Sequence, residues 1–355
     1  MYGIFPHQCL RGDNGPLLQA ASACELPGTC LRIVVIAIAR PTPSLFPNFY
    51  LLAMIRLPIL AQRLTVTAAA RRSLSTTAAR RGEAAARPFH VAFSELTGPP
   101  SPECVATITM TCAKANSFDL TALQGLSHAL AQVEAQAGVR GLVLQSGTAG
   151  FFSAGFSLPV FHNIARADFE RLWALSRDVF RRLHALPAPS IAAIDGHALG
   201  LGCALAMACQ HRYAVHSPGL IGLNEVAVGL PVPQWLAERF RDLTSLRAAE
   251  ELLSTGASLS VARALPLGLI DAVFDSPEDV GTAAHARLRQ CAAAPRAAQA
   301  ETLEALRREY LARFDADCER DTDQLWRAIS SPDTQTAIQA AIARLSSRRP
   351  STSVA

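Results

Sequence analysis

One carboxylate, Glu225, stands in an apolar loop, shortly after a turn built on Gly196, Gly200 and Gly202. The stretch Pro189–Pro231 carries both. Ser190–Ile194 (SIAAI) is a short apolar run, the pattern of a strand covered on both faces. The glycines mark a turn where backbone comes close to something. Cys203–Cys209 (CALAMAC) begins an apolar helix, so free N–H groups and the positive end of a helix dipole lie at that turn. After a strand-like HRYAV, Glu225 follows among Leu223, Val226 and Val228. This segment alone therefore offers donors for a developing oxyanion and a buried base. An exposed glutamate titrates near ~4.3, and burial among apolar residues raises it toward ~6–7, where it can take a proton from carbon near neutral pH.

A second turn lies upstream. Arg140–Gln145 (RGLVLQ) reads as a buried strand, and residues 147–161 (GTAGFFSAGFSLPVF) bring Gly150, Gly155 and the small Ser153 and Ala154 to its carboxyl end. Ligands of layered α/β folds bind at such ends. Two Gly/Ala turns, each between a buried strand and a helix, can aim two amides at one carbonyl oxygen.

The elements that position these turns follow from the pattern. His90–Glu95 and Val105–Thr111 alternate like two antiparallel strands around Gly98-Pro99-Pro100. Ser117 or Asp119 can cap a helix carrying Leu120, Leu123, Leu126, Leu130 and Val133 on one face. The βαβ order implies parallel pairing and a layered α/β fold. Downstream, helices are expected from Pro233 to Phe240 and over Leu246–Ser254. A strand at Ala272–Phe274 follows, then amphipathic helices over Glu278–Ala294, Ala298–Phe314 and Thr334–Leu345.

Composition bounds the function classes. The 355 residues are 50% hydrophobic and 17% charged, enough for one or two domains with a sizeable core. The net charge is +4, but the excess is local to the arginine-rich N-terminal third. No basic patch with interleaved aromatics occurs, so nucleic-acid binding is disfavoured. The only lysine is Lys114. Nine cysteines are scattered without metal-ligand or disulfide-framework spacing, so no metal is expected and reduced thiols are the default.

Residues 1–87 do not read as a domain. Leu31–Ala39 is short for a membrane span, which takes ~20 residues, and Pro47, Arg56 and Pro58 interrupt Phe46–Leu60, so no integral membrane segment is expected. From Met54 the chain is rich in arginine, serine and alanine, and Arg56, Arg63, Arg71, Arg72, Arg80 and Arg81 precede the first acid, Glu83. That is the composition of a mitochondrial transit peptide. Translation from Met54, with residues 1–53 an upstream extension of the gene model, is the corresponding expectation. The last residues, SVA, carry no peroxisomal Ser-Lys-Leu address.

FFSAGF, AIDGHALGLGCALA and IGLNEVAVGL resemble, in order and spacing, the crotonase (enoyl-CoA hydratase/isomerase) superfamily over roughly residues 88–345. GLNE and the segment Arg320–Leu345 resemble its mitochondrial delta-isomerase branch. Ser260–Leu269 resembles the family's helix that ends in Gly-Leu-Ile-Asp, here Gly268 to Asp271, so a helix is expected there. The resemblance implies a crotonase-like layered ββα superhelix, with residues 88–275 as core and residues 276–349 as a C-terminal helical trimerisation layer, hence a homotrimer. It implies an acyl-CoA thioester as ligand and no cofactor beyond the coenzyme A of the substrate. By motif, the amides of Phe156 and Leu201 hold the thioester oxygen. Ala154 contacts the adenine, and Gly155, Ser157, Leu158 and Asn224 line the substrate site. Glu225 is the base. Hydratases of this family have a second glutamate where this chain has Ala204. Hydration needs two groups, whereas moving a proton from C2 to C4 needs one. The resemblance therefore implies isomerisation of cis or trans 3-enoyl-CoA to trans-2-enoyl-CoA, in β-oxidation of unsaturated fatty acids in the mitochondrial matrix. A hydratase, an acyl-CoA hydrolase and a non-catalytic CoA-binding paralogue are the alternatives. Two departures from the family pattern bear on these. Ser157 replaces the usual aspartate. Leu201 replaces the usual glycine, at a cost of roughly 1–2 kcal/mol if that position needs positive φ. Arg307 or Arg308 is the candidate for the CoA phosphates.

Overall fold

The computed structural model of the protein describes residues 88–96 and 103–347, together with an antiparallel pairing of Ala23–Cys24 with Ile33–Val34. The expected transit peptide, the Met54 start, the interrupted apolar stretches and the Gly98–Pro100 turn fall outside the described residues.

A six-stranded sheet forms the base. Its strands are β1 (Phe89–Glu95), β2 (Cys104–Met110), β4 (Val139–Ser146), β7 (Ser190–Ile194), β9 (His211–Val215) and β12 (Ala272–Phe274). They lie side by side in that order, antiparallel between β1 and β2 and parallel elsewhere. Side chains alternate across such a sheet, and both faces are covered. Val105, Val143, Ile191, Ala193 and Val215 pack with Val280, Ala284 and Leu288 of helix α7 (Pro277–Cys291). The intervening Ala106, Leu142, Leu144, Ala192, Ile194 and Ala214 join the main core. Covering on both faces explains why these strands read as unbroken apolar runs.

A second, four-stranded sheet comprises β5 (Phe151–Ser153), β8 (His197–Leu199), β10 (Leu220–Gly222) and β11 (Leu259–Ser260). The chain thus spirals. Each turn lays one strand in the large sheet and the next in the small one: β4 then β5, β7 then β8, β9 then β10. Helices α2 (Arg166–Ala185), α3 (Leu201–Ala208) and α4 (Gln234–Leu243) follow the successive pairs. This is the layered ββα order expected. A third sheet of two parallel strands pairs β3 (Ser117–Phe118) with β6 (Gly155–Phe156). Helix α1 (Leu120–Ala135) is capped by Asp119, whose carboxylate accepts the Ala122 N–H at 2.8 Å. Ser117, the other candidate, instead donates to the Lys114 carbonyl at 2.6 Å.

The remaining helices are α5 (Leu246–Leu253), α6 (Val261–Ala264), α8 (Arg296–Ala316), α9 (Cys318–Ile329) and α10 (Pro332–Ser347). The helix expected over Ser260–Leu269 is only the four residues of α6. Leu265 still has helical backbone, but Gly268 at φ +81° turns the chain, with the Leu269 N–H on Ala264 O at 3.1 Å, and Asp271 beyond it is drawn onto β9. Its carboxylate accepts the Arg212 N–H at 2.7 Å and pairs with the buried Arg212 guanidinium at 2.6 Å. The C-terminal helices are tied down by Asp321. Its Oδ2 accepts from Trp173 Nε1 (3.0 Å), Trp235 Nε1 (3.2 Å) and Arg177 (2.7 Å), inside a cluster that includes Phe180 and Phe314. A buried charge held by three donors is costly to break, on the order of 3–5 kcal/mol on losing a partner. Among the described residues no helix is long and apolar enough to cross a membrane.

Candidate active site

The two glycine turns meet. Gly155 has φ +84°, and a methyl group there would lie 2.6 Å from the Leu199 carbonyl oxygen and 3.2 Å from the Leu201 amide nitrogen. A side chain would wedge the turns apart. The first turn is pinned from behind by Ser153, which is fully buried. Its hydroxyl accepts the Gly155 N–H at 3.0 Å and donates to the Asn116 carbonyl at 2.7 Å. Ala154 N–H donates to Ala115 O at 3.0 Å and Ser157 N–H to Phe118 O at 2.9 Å. Successive amides of a strand point to opposite edges. The Phe156 N–H therefore faces the edge of β6 away from β3, where among the described residues no strand pairs with it.

Leu201 supplies the second amide. It is the first residue of α3, so its N–H has no acceptor one turn earlier in the helix and sits at the positive end of the dipole. The left-handed residue is its neighbour Gly200, with φ +51°. Leu201 is absent from the positive-φ residues, so the cost attached to leucine at this position does not arise. The helix begins two residues earlier than its apolar run indicates, and this places Leu201 in helical backbone.

Strand β10 lies parallel to β8, with Leu199 opposite Gly222, and it delivers Asn224 and Glu225 to the same turn. A methyl group at Gly200 would be 3.4 Å from Asn224 Oδ1 and 3.6 Å from Glu225 Oε1. Glu225 opens a single 3-10 turn, Glu225–Val228. Its Oε2 is buried without a hydrogen-bond partner among the described residues. Burial pushes its carboxyl up to about 7, and a hydrogen bond from its own backbone offsets this in part. Leu223 is buried as expected. Val226, read as part of the apolar surround, is 36% exposed, and Val228 is half-buried. Helix α10 packs against this turn, with Thr334 and Ala337 next to Gly229. On α3 the Cys203 thiol is fully buried, feels the Glu225 charge and is held protonated by its own burial.

Ala204 lies on α3 with no exposure, so the helix brings no second carboxylate here. Ala154, Phe156, Ser157 and Leu158 are all half-buried, Leu158 opening a 3-10 turn, Leu158–Phe161. Arg307 is not brought to this turn. Its guanidinium donates to Leu186 O at 2.7 Å and shares a cavity of about 220 Å³ with Ala208, at the other end of α3. Arg308 is exposed, 3.9 Å from Glu304. Asn116 escapes the sequence analysis. It is fully buried at φ +53°, closes a left-handed run from Lys114, and donates to Ser146 Oγ (2.8 Å) and Phe152 O (3.1 Å). Its signal is Asn-Ser before a helix, which reads equally as a cap; asparagine is also among the residues that tolerate left-handed backbone. Two amides with a carboxylate beside them can hold an oxyanion and exchange a proton at the adjacent carbon.

Comparison with known proteins places this geometry in a family. The enoyl-CoA hydratase/isomerase family model matches residues 101–346. Human mitochondrial enoyl-CoA delta isomerase 1 is 29% identical over 231 residues, covering 65% of this chain and 76% of that protein. The rat counterpart is 34% identical over 165 residues, 46% of this chain and 56% of that protein. A Bacillus subtilis (strain 168) protein named "Probable enoyl-CoA hydratase" is 31% identical over 238 residues, covering 66% of this chain and 91% of its own length. The crystal structure of human mitochondrial delta3-delta2-enoyl-CoA isomerase superposes with a TM-score of 0.67 at 28% identity, covering 69% of this chain and 95% of that one. With the family model matching well over half its length, the chain belongs to the enoyl-CoA hydratase/isomerase family, the crotonase superfamily.

Proposed function

We propose that this protein isomerises 3-enoyl-CoA, cis or trans, to trans-2-enoyl-CoA, the step that lets β-oxidation of unsaturated fatty acids proceed. The observation that carries the reading is the single carboxylate at the amide turn: Glu225 is present, its Oε2 buried without a partner among the described residues and its carboxyl raised to about 7, while the position on α3 that would hold a second acid is Ala204. In this reading the thioester oxygen lies between the N–H groups of Phe156 and Leu201. Ala154 lies against the adenine, and Gly155, Ser157, Leu158 and Asn224 line the substrate. The Glu225 carboxylate removes a proton from C2, and the electron pair moves onto the thioester oxygen as a dienolate. The electrons then return through the conjugated system as the Glu225 carboxyl group delivers a proton to C4. The C3–C4 double bond becomes C2–C3, and no atom is gained or lost. A carboxyl near 7 serves as base in the first half and acid in the second. Loss of either amide costs ~10²–10³ in rate.

Relatives named as hydratases favour a second reading, hydration of 2-enoyl-CoA. Purified protein assayed with 3-hexenoyl-CoA and crotonyl-CoA separates the two. Isomerisation is expected to dominate, and faster hydration of crotonyl-CoA overturns it. A homotrimer in the mitochondrial matrix completes the proposal. The compartment is supported by relatives named as mitochondrial and by the arginine-rich, acid-poor composition after Met54, and the trimer by the family resemblance. Light scattering and the mature N-terminus test it.

A further inference from the structure

We infer that Thr334 and Gln335, consecutive residues in the first turn of α10, are positioning residues: they hold the Glu225 turn and the turn after Phe156 at one fixed separation, and so set the reach of the Glu225 carboxylate. The inference rests on the isomerase reading above and adds to it two residues from outside the core.

Thr334 holds one side. Its hydroxyl accepts from Ser331 Oγ at 3.0 Å, which leaves its proton for the Gly229 carbonyl at 3.1 Å. Gly229 closes the single turn that Glu225 opens. The Gly229 N–H donates to Val226 O at 3.0 Å and the Leu230 N–H to Glu225 O at 3.1 Å. A hydrogen bond at the Gly229 carbonyl therefore acts on a rigid unit of five residues with the carboxylate at its other end. Thr334 is buried, so water does not replace its hydroxyl there.

Gln335 holds the other side. Both protons of its side-chain amide are used, to Phe161 O at 3.1 Å and Ile329 O at 2.7 Å, and its oxygen accepts the Asn163 N–H at 2.9 Å. Phe161 ends the 3-10 turn that Ser157 precedes, one residue after the Phe156 amide. Asn163 has φ +55°, a conformation the Gln335 oxygen helps to hold. The three bonds fit only one orientation of the Gln335 amide. Two adjacent residues on one helix thus grip both halves of the site, and among the described residues no hydrogen bond joins the Glu225–Gly229 turn to the Leu158–Phe161 turn. A single group that serves two carbons depends on that spacing, since misplacement by ~1 Å can cost ~10²-fold.

The test compares Thr334→Val, Thr334→Ser and Gln335→Met with the wild type, each in the full chain and checked for its melting temperature. Two quantities are read: kcat and KM with 3-hexenoyl-CoA, and the titration of Glu225 in ligand-free protein by carbon-13 NMR of labelled glutamate. The Cys203 thiol faces Glu225 from α3 and stays protonated, and Asp333 in the first turn of α10 is exposed, so neither masks the titration. Thr334→Val and Gln335→Met are expected to lower kcat ~10–100-fold with KM within about twofold. Their Glu225 midpoint is expected to fall from about 7 toward the ordinary glutamate range as water reaches the loosened turn. Thr334→Ser, which keeps the hydroxyl, is expected within about threefold of wild-type kcat. A wild-type midpoint in both Thr334→Val and Gln335→Met overturns the inference, as does a Thr334→Ser enzyme no better than Thr334→Val. Should Thr334→Val fail to fold, Gln335→Met alone decides by the same midpoint. If the wild type does not isomerise, the functional reading fails, while the ligand-free titration still decides whether the clamp exists.

Discussion

Replacing Glu225 by glutamine is expected to stabilise the fold, by an amount that depends on pH. The carboxyl titrates near 4.5 when unperturbed and at about 7 in the folded protein, because burial penalises its charged form. A carboxyl raised on folding binds more protons in the native state than in the unfolded chain between those two values. Stability is therefore lost as pH rises from about 4.5 to about 7, and the loss is complete above both. Each tenfold change in the affinity of the carboxylate for its proton is worth about 1.4 kcal/mol, so the ionised form costs on the order of 3 kcal/mol at pH 8. At pH 5 most native molecules carry the protonated form, and the residual cost is under ~1 kcal/mol. Glutamine has the same shape and no charge, so Glu225→Gln escapes the cost at every pH. For a domain of this size, roughly 2–4 °C per kcal/mol, the variant should melt ~6–12 °C above the wild type at pH 8 and within ~4 °C of it at pH 5. Thermal and urea unfolding at the two pH values measure this. A variant no more stable than the wild type at pH 8, or one whose gain is the same at both, refutes the reasoning: Glu225 would then be solvated or paired. A stabilising loss of function is the usual mark of a strained working residue.

Two further outcomes follow from the same geometry. Because the ionised form of Glu225 starts the reaction, kcat/KM for 3-hexenoyl-CoA should rise ~10-fold between pH 6 and 8, as a group titrating near 7 requires; a flat profile over that range contradicts the raised carboxyl. Gly155→Ala places a methyl group 2.6 Å from Leu199 O in a residue at φ +84°. It should lower kcat ~10²-fold by moving one amide off the oxyanion and destabilise by ~1–2 kcal/mol from the backbone alone; an alanine enzyme with wild-type kcat shows that the two turns need not touch.

Much of the site is legible in the sequence because its parts are local. Strand, glycine turn and helix follow each other in sequence at both turns, and Asp119 caps the helix it precedes. What is not legible depends on which neighbours the fold supplies. The start of α3 at Leu201 rather than Cys203 is set by Gly200 taking the left-handed conformation, and the closely spaced glycines of this turn leave that choice open. Val226 reads as apolar wall but is exposed in the 3-10 turn, and the helix packed on that turn is α10, about a hundred residues downstream in the chain. Asn116 reads as cap chemistry and is instead the buried post on which Ser153 hangs. Thr334 and Gln335 carry no local sign of their contacts at the site, since Gly229 and Phe161 lie over a hundred residues away.

The central claim is that a single buried carboxylate moves the proton, and turnover by Glu225→Gln tests it most directly. With folding assured by the melting curves, 3-hexenoyl-CoA isomerisation by the variant is predicted to fall ~10²–10⁴-fold in kcat, with KM little changed. A kcat within a few-fold of the wild type would contradict the account and assign the proton to another group.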